Sequence, residues 1–143
     1  MNREEWQLIA EEKLSAANAL LAASQWASAY YLAGYAVECG LKSCILARLA
    51  GFPEVIFEVK TGKTFSKDCW PHDIEVLAGL AGLKPELDAA VAAAPALATN
   101  WGVVGEWNEV TRYEMKTELE SRKLYLAITD SADGVMQWIK ARW

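Results

Sequence analysis

A chain of 143 residues suits one domain with a real core, and 53% hydrophobic against 23% charged residues excludes a disordered chain. The formal net charge of -5 excludes a broad electrostatic footprint for nucleic acid, because such binding is mainly neutralisation of phosphates by Lys and Arg. Charged residues break every apolar run before about eighteen residues accumulate, which excludes a transmembrane helix.

The N-terminal Met-Asn-Arg-Glu-Glu-Trp opens directly into an amphipathic pattern and lacks the basic start and apolar core of a signal peptide, so a cytoplasmic protein is expected. A first helix is predicted over residues 3–23, with Trp6, Ile9, Lys13 or Leu14, Ala17, Leu20 and Leu21 on one face. Ser24 is placed to cap a second helix, which runs to Gly51, a residue suited to a left-handed helix stop, with Pro53 two residues on. One stripe of this second helix is Tyr30, Gly34, Val37, Leu41 and Cys44, and its neighbour is Tyr31, Tyr35, Glu38, Lys42 and Ile45, so both faces look occupied. Gly34 costs the helix about 1 kcal/mol relative to Ala, which points to a second backbone passing close by.

Residues 55–60 have the composition of a short strand without an evident partner, and residues 61–68 read as a loop in a long connection. Gly62-Lys63-Thr64 within it invites comparison with a phosphate-binding loop, but Phe57 stands where the first glycine of that motif belongs. A third, short helix starts at His72 or Asp73 and carries Ile74, Leu77, Ala78 and Leu80 to a stop at Gly82. Pro85 opens a helix over residues 86–94 that Pro95 closes, and residues 100–107 form an aromatic, Gly-punctuated junction. A longer helix over residues 115–129 carries Leu119, Leu124 and Ile128, and Asp133 caps a last helix with Val135, Trp138 and Ile139 inward. The whole reads as one all-α domain, residues 1–143, an up-and-down bundle of five to six helices.

Few residues carry chemistry. Cys39, Cys44 and Cys69 are an odd number without a Cys-x-x-Cys pair and read as reduced structural thiols. His72 is the sole histidine, so no His-rich metal site is encoded and no metal or cofactor is expected. It is either an acid or base, or a structural group that hydrogen-bonds a helix end or packs beside tryptophan. Glu38 and Lys42, four apart on one helix face among Tyr31, Tyr35 and Ile45, read as a partly buried pair that supports the fold or organises a polar pocket. Trp101, Trp107, Arg112 and Tyr113 have the chemistry of anion recognition, nucleotide stacking or a partner hot spot, and interior packing would give the same sequence.

The helix Tyr31-x-x-Gly34-Tyr35-x-x-Glu38-x-x-x-Lys42, His72 ahead of Ile74 and Leu77, and Trp107 leading into Arg112-Tyr113 together resemble the HEPN family of small helical domains. The ending Gly134-Val-Met-Gln-Trp138-Ile139-Lys140 resembles a bacterial subgroup of HEPN-like proteins of unknown function. The resemblance covers most of the chain and implies a helical bundle that pairs into a homodimer. It also implies a relation to metal-independent ribonucleases and toxins, often encoded beside a nucleotidyltransferase, whose activity depends on an Arg followed a few residues on by a His. Arg112 matches the Arg, but the corresponding His positions here are Thr117, Glu118 and Leu119. The expectation is therefore a non-catalytic HEPN-like partner or regulatory domain, homodimeric and part of a two-gene module with a nucleotidyltransferase-type protein; the alternatives are a metal-independent ribonuclease of HEPN type and a nucleotide-binding module.

Overall fold

The computed structural model describes residues 1–51 and 71–143. The expectations placed on residues 53–69, among them the short strand, the Gly62-Lys63-Thr64 turn and Cys69, lie outside the described residues. Seven α-helices and one 3-10 turn are present among the described residues, with no strand, so the fold is all-α with more elements than the five to six expected.

Helix α1 (Arg3–Ala22) begins with a reciprocal cap: the Asn2 side chain accepts from the Glu5 amide at 2.8 Å, and the Glu5 carboxylate accepts from the Asn2 amide at 2.7 Å. It buries Ala10, Ala17 and Leu21 against α2 (Trp26–Ala50). The two run antiparallel, since Gln7 near the start of α1 donates to Ser43 near the end of α2 at 3.1 Å. Reversing the chain in residues 23–25 needs a left-handed residue, and Ser24 adopts it with φ 59. Ser24 therefore does not cap α2, as expected from sequence; Gln25 holds that position without a side-chain bond. Gly51 likewise ends α2 in the right-handed region, φ -76, rather than the left-handed one.

Helix α2 is the central element. It is buried almost continuously from Ala33 to Ile45 and is covered within one chain by α1 and by the helices that follow. Asp73 caps α3 (Ile74–Leu80) by accepting from the Val76 amide at 3.0 Å. Gly82 then turns left-handed, φ +71, beside Arg48 of α2, whose Nη1 donates to the Leu80 carbonyl at 2.8 Å. Pro85 lies in the first turn of α4 (Lys84–Ala93), and Pro95 opens α5 (Pro95–Gly105) instead of merely closing its predecessor. Most of the expected junction at residues 100–107 is thus helix, with Gly102 and Gly105 on its exposed side.

After α5 comes the 3-10 turn (Glu109–Tyr113), capped by the Asn108 side chain on the Val110 amide at 2.9 Å. Helix α6 (Glu118–Thr129) starts later than expected, because Thr117 and Glu120 form a capping box. Leu124 and Ile128 face inward, whereas Leu119 is 77% exposed. Asp130, not Asp133, organises the approach to α7 (Val135–Lys140): its carboxylate accepts from the Asp133 and Ala132 amides, bonds that also hold it below its ordinary pKa. Val135 and Ile139 are buried and Trp138 is half-buried, as expected.

What approaches Gly34 is a side chain rather than a backbone. A Cβ at Gly34 would lie 2.2 Å from Cδ1 of Trp107, whose indole is 2% exposed. A Gly34→Ala substitution is expected to cost about 2–3 kcal/mol in urea unfolding, since the indole must move. Combining it with Trp107→Ala should cost clearly less than the sum of the two separate losses.

Burial pushes the Cys39 and Cys44 thiols from 9.0 up to about 12. A group that holds its proton more tightly when folded contributes its full stabilisation below the unfolded value and loses it as pH rises toward the folded one. Stability to urea should therefore fall between pH 9.0 and about 12, and fall less in a Cys39→Ala/Cys44→Ala variant. Tyr30 and Tyr31, also raised by desolvation, act in the same sense.

Candidate functional site

Glu38 and Lys42 lie one turn apart in the buried middle of α2, 0% and 4% exposed. Lys42 Nζ donates to Glu38 Oε1 at 2.7 Å, and the ammonium lies 4.8 Å from the centre of the Trp6 ring on α1. Nδ1 of His72, just ahead of α3, lies 2.9 Å from the same Oε1. Among the described residues Glu38 Oε2 is buried without a hydrogen-bond partner, so the pairing of this carboxylate there is concentrated on one oxygen. The expected partly buried pair is thus fully buried.

The other imidazole nitrogen, Nε2, lies 3.2 Å from Glu109 Oε2 in the 3-10 turn. His72 therefore spans three elements: α2 through Glu38, the entry to α3, and the turn through Glu109. Its side chain is 46% exposed, and it borders a groove of about 470 Å³ lined by His72, Asp73, Asn108, Glu109, Val110 and Glu114.

Arg112 lies on the same turn. Its guanidinium carbon is 5.7 Å from the Tyr31 ring centre and 5.2 Å from that of Tyr113, and Nη2 donates to the Tyr113 hydroxyl at 3.1 Å. That hydrogen bond and the charge of the neighbouring tyrosines keep the guanidinium firmly protonated. Arg112 forms no ion pair among the described residues, and no hydrogen bond joins it to His72. Tyr31 in turn stacks on Tyr35 at 6.1 Å and meets Trp107 at 5.9 Å.

The structure therefore brings together Glu38, Lys42 and His72, and separately Trp107, Arg112 and Tyr113 around Tyr31. Trp101 joins neither group: it is buried on α5 with its ring 6.0 Å from Trp138. Trp101 and Trp107 are interior packing residues, with indole nitrogens that find no partner among the described residues, so the aromatic surface expected here reduces to Tyr113, 79% exposed. Sequence reasoning missed Glu109, the residue that links the two groups. Its only signal is the Asn108 cap, which fixes it in the first position of a turn that ends at Arg112-Tyr113.

A Lys42→Met substitution would strand the Glu38 carboxylate and is expected to cost about 3–5 kcal/mol of stability by urea unfolding. Replacing both residues by Met should cost much less than that single change, the signature of a pair whose charges need each other. The chain matches no family model, no curated protein and no solved structure.

Proposed function

We propose that this chain is a non-catalytic HEPN-like partner or regulatory domain, which acts by binding, as a homodimer, in company with a nucleotidyltransferase-type protein. The observation that carries the non-catalytic reading is the position of His72 between two carboxylates, 2.9 Å from Glu38 and 3.2 Å from Glu109. A general base needs an open nitrogen directed at the proton it removes, and a general acid needs its proton aimed at a leaving group. Here both nitrogens face carboxylates, which supports a role in holding α2, the start of α3 and the 3-10 turn together.

The all-helical fold is the kind the HEPN resemblance calls for. The pairing surface of a homodimer lies away from α2, whose small residues are covered within one chain and whose Gly34 is filled by Trp107. The nucleotide-binding alternative keeps one support, the exposed Arg112 against tyrosine rings, which forms no ion pair among the described residues. Glu109 and Glu114 beside it oppose a phosphate.

The test is incubation of the purified chain with single-stranded and structured RNAs in chelator, beside Arg112→Ala and His72→Ala variants. No cleavage above a buffer control is expected. Cleavage by the parent chain that both substitutions abolish would overturn the non-catalytic reading, and a single-chain mass by light scattering at micromolar concentration would overturn the homodimer.

A further inference from the structure

Nine large apolar side chains are exposed among the described residues, and four of them, Val110, Tyr113, Met115 and Leu119, fall within ten consecutive positions. Their exposures are 58%, 79%, 89% and 77%, too high for the rim of a core. They lie along the 3-10 turn and the segment that enters α6. The groove of about 470 Å³ opens beside them, sharing Val110 and bringing three carboxylates, Asp73, Glu109 and Glu114, to its walls.

The four are near neighbours along the chain, beside a groove with charged walls, and exposed apolar groups gathered next to charge mark interaction sites. Charge decides what fits. Over residues 106–120 five exposed glutamates stand against Arg112 and Lys116, and Lys116 is already engaged by Glu114 at 3.1 Å and Glu120 at 3.6 Å. A second copy laid face to face would set this acidic segment against itself, and like charges across an interface select against a partner. A nucleic acid would meet the same repulsion.

We propose that the turn and the entry to α6 form a docking face for a basic segment of another protein, whose apolar side chains cover Val110, Tyr113, Met115 and Leu119 while a Lys or Arg enters the groove between Asp73, Glu109 and Glu114. This deepens, and rests on, the reading of the chain as a binding domain. The groove supplies carboxylates for a cationic head, which would share Glu114 with Lys116 and Glu109 with His72, and the apolar strip takes the stem and its neighbours.

The experiment titrates the full chain with two synthetic amphipathic helical peptides of identical leucine spacing, one with Lys and the other with Glu at every polar position, by calorimetry at low salt and at about 0.15 M salt. The Lys peptide is expected to bind, more weakly at the higher salt, and the Glu peptide not to bind. Met115→Ser/Leu119→Ser should weaken the Lys peptide about tenfold or more, and Glu114→Gln should reduce the salt dependence. Leu8→Ser, an equally exposed position on α1, should leave binding unchanged.

The proposal is overturned if the Lys peptide fails to bind, if the Met115→Ser/Leu119→Ser variant binds it as well as the parent does, or if the Glu peptide binds equally. It is also overturned if Met115→Ser/Leu119→Ser abolishes self-association of the parent chain, which would make a second copy the occupant. RNA cleavage in the separate assay would instead sink the non-catalytic reading, so the two failures are distinguishable.

Discussion

The pair of charges in the middle of α2 constrains how everything else packs. Removing a carboxylate and an ammonium from water costs several kcal/mol for each ion, and their attraction offsets this only when geometry is good and further polar contacts are made. The i, i+4 spacing brings Lys42 to 2.7 Å from Glu38, but the helix alone can do no more. The second contact on the carboxylate comes from His72, and an aromatic face for the ammonium comes from Trp6. An arrangement that buried α2 without these two neighbours would keep the desolvation cost and lose its compensation. The pair thereby selects one placement of α1 and one path for the chain entering α3.

A second fastening lies one turn away on the same helix. Tyr31, Gly34 and Glu38 follow the i, i+3, i+7 spacing of one helix face. Each meets a different part of the segment after α5. Gly34 receives the Trp107 indole, Glu38 reaches Glu109 through His72, and Tyr31 lies against Arg112. A short 3-10 turn has poor internal hydrogen-bond geometry and little stability of its own. Here its shape comes from three anchors on a long helix together with the Asn108 cap.

This division explains what could be read in the sequence. The α2 stripes, the Glu38–Lys42 pair and the close approach at Gly34 were legible, because helical spacing fixes which residues share a face. What approaches Gly34 was not, since a missing Cβ signals proximity without saying whether backbone or indole fills the space. Ser24 looked like a cap because serine favours that position, but the three-residue reversal needed a left-handed residue more. Residues 100–107 looked like a junction because glycines usually break helices; Gly102 has open space where its side chain would stand, and Pro95 had already started a helix there. The helix expected from residue 115 starts only at Glu118, because the Thr117–Glu120 capping box sets its first turn, and Leu119 in that turn stays exposed. Glu109 was invisible for a different reason: its meaning depends on His72, which is remote in sequence and reaches it only in the folded chain.

The two fastenings also bear on what the turn can do. Three groups of residues 107–113 hold the turn in place: the indole by packing, Glu109 by its contact with His72, and the buried Thr111 by its bond to the Asn108 carbonyl. The outward groups, Val110, Arg112 and Tyr113, are thereby presented from a backbone that is already ordered. Binding at a surface that must first be organised loses affinity to the entropy of ordering it, and a segment pinned to a buried helix has met that cost during folding. The same contacts that set His72 between Glu38 and Glu109 make the turn a firm platform. In this protein the placement of His72 between two carboxylates and the proposed recognition face are two consequences of one arrangement, the anchoring of residues 107–113 to the Tyr31, Gly34 and Glu38 face of α2.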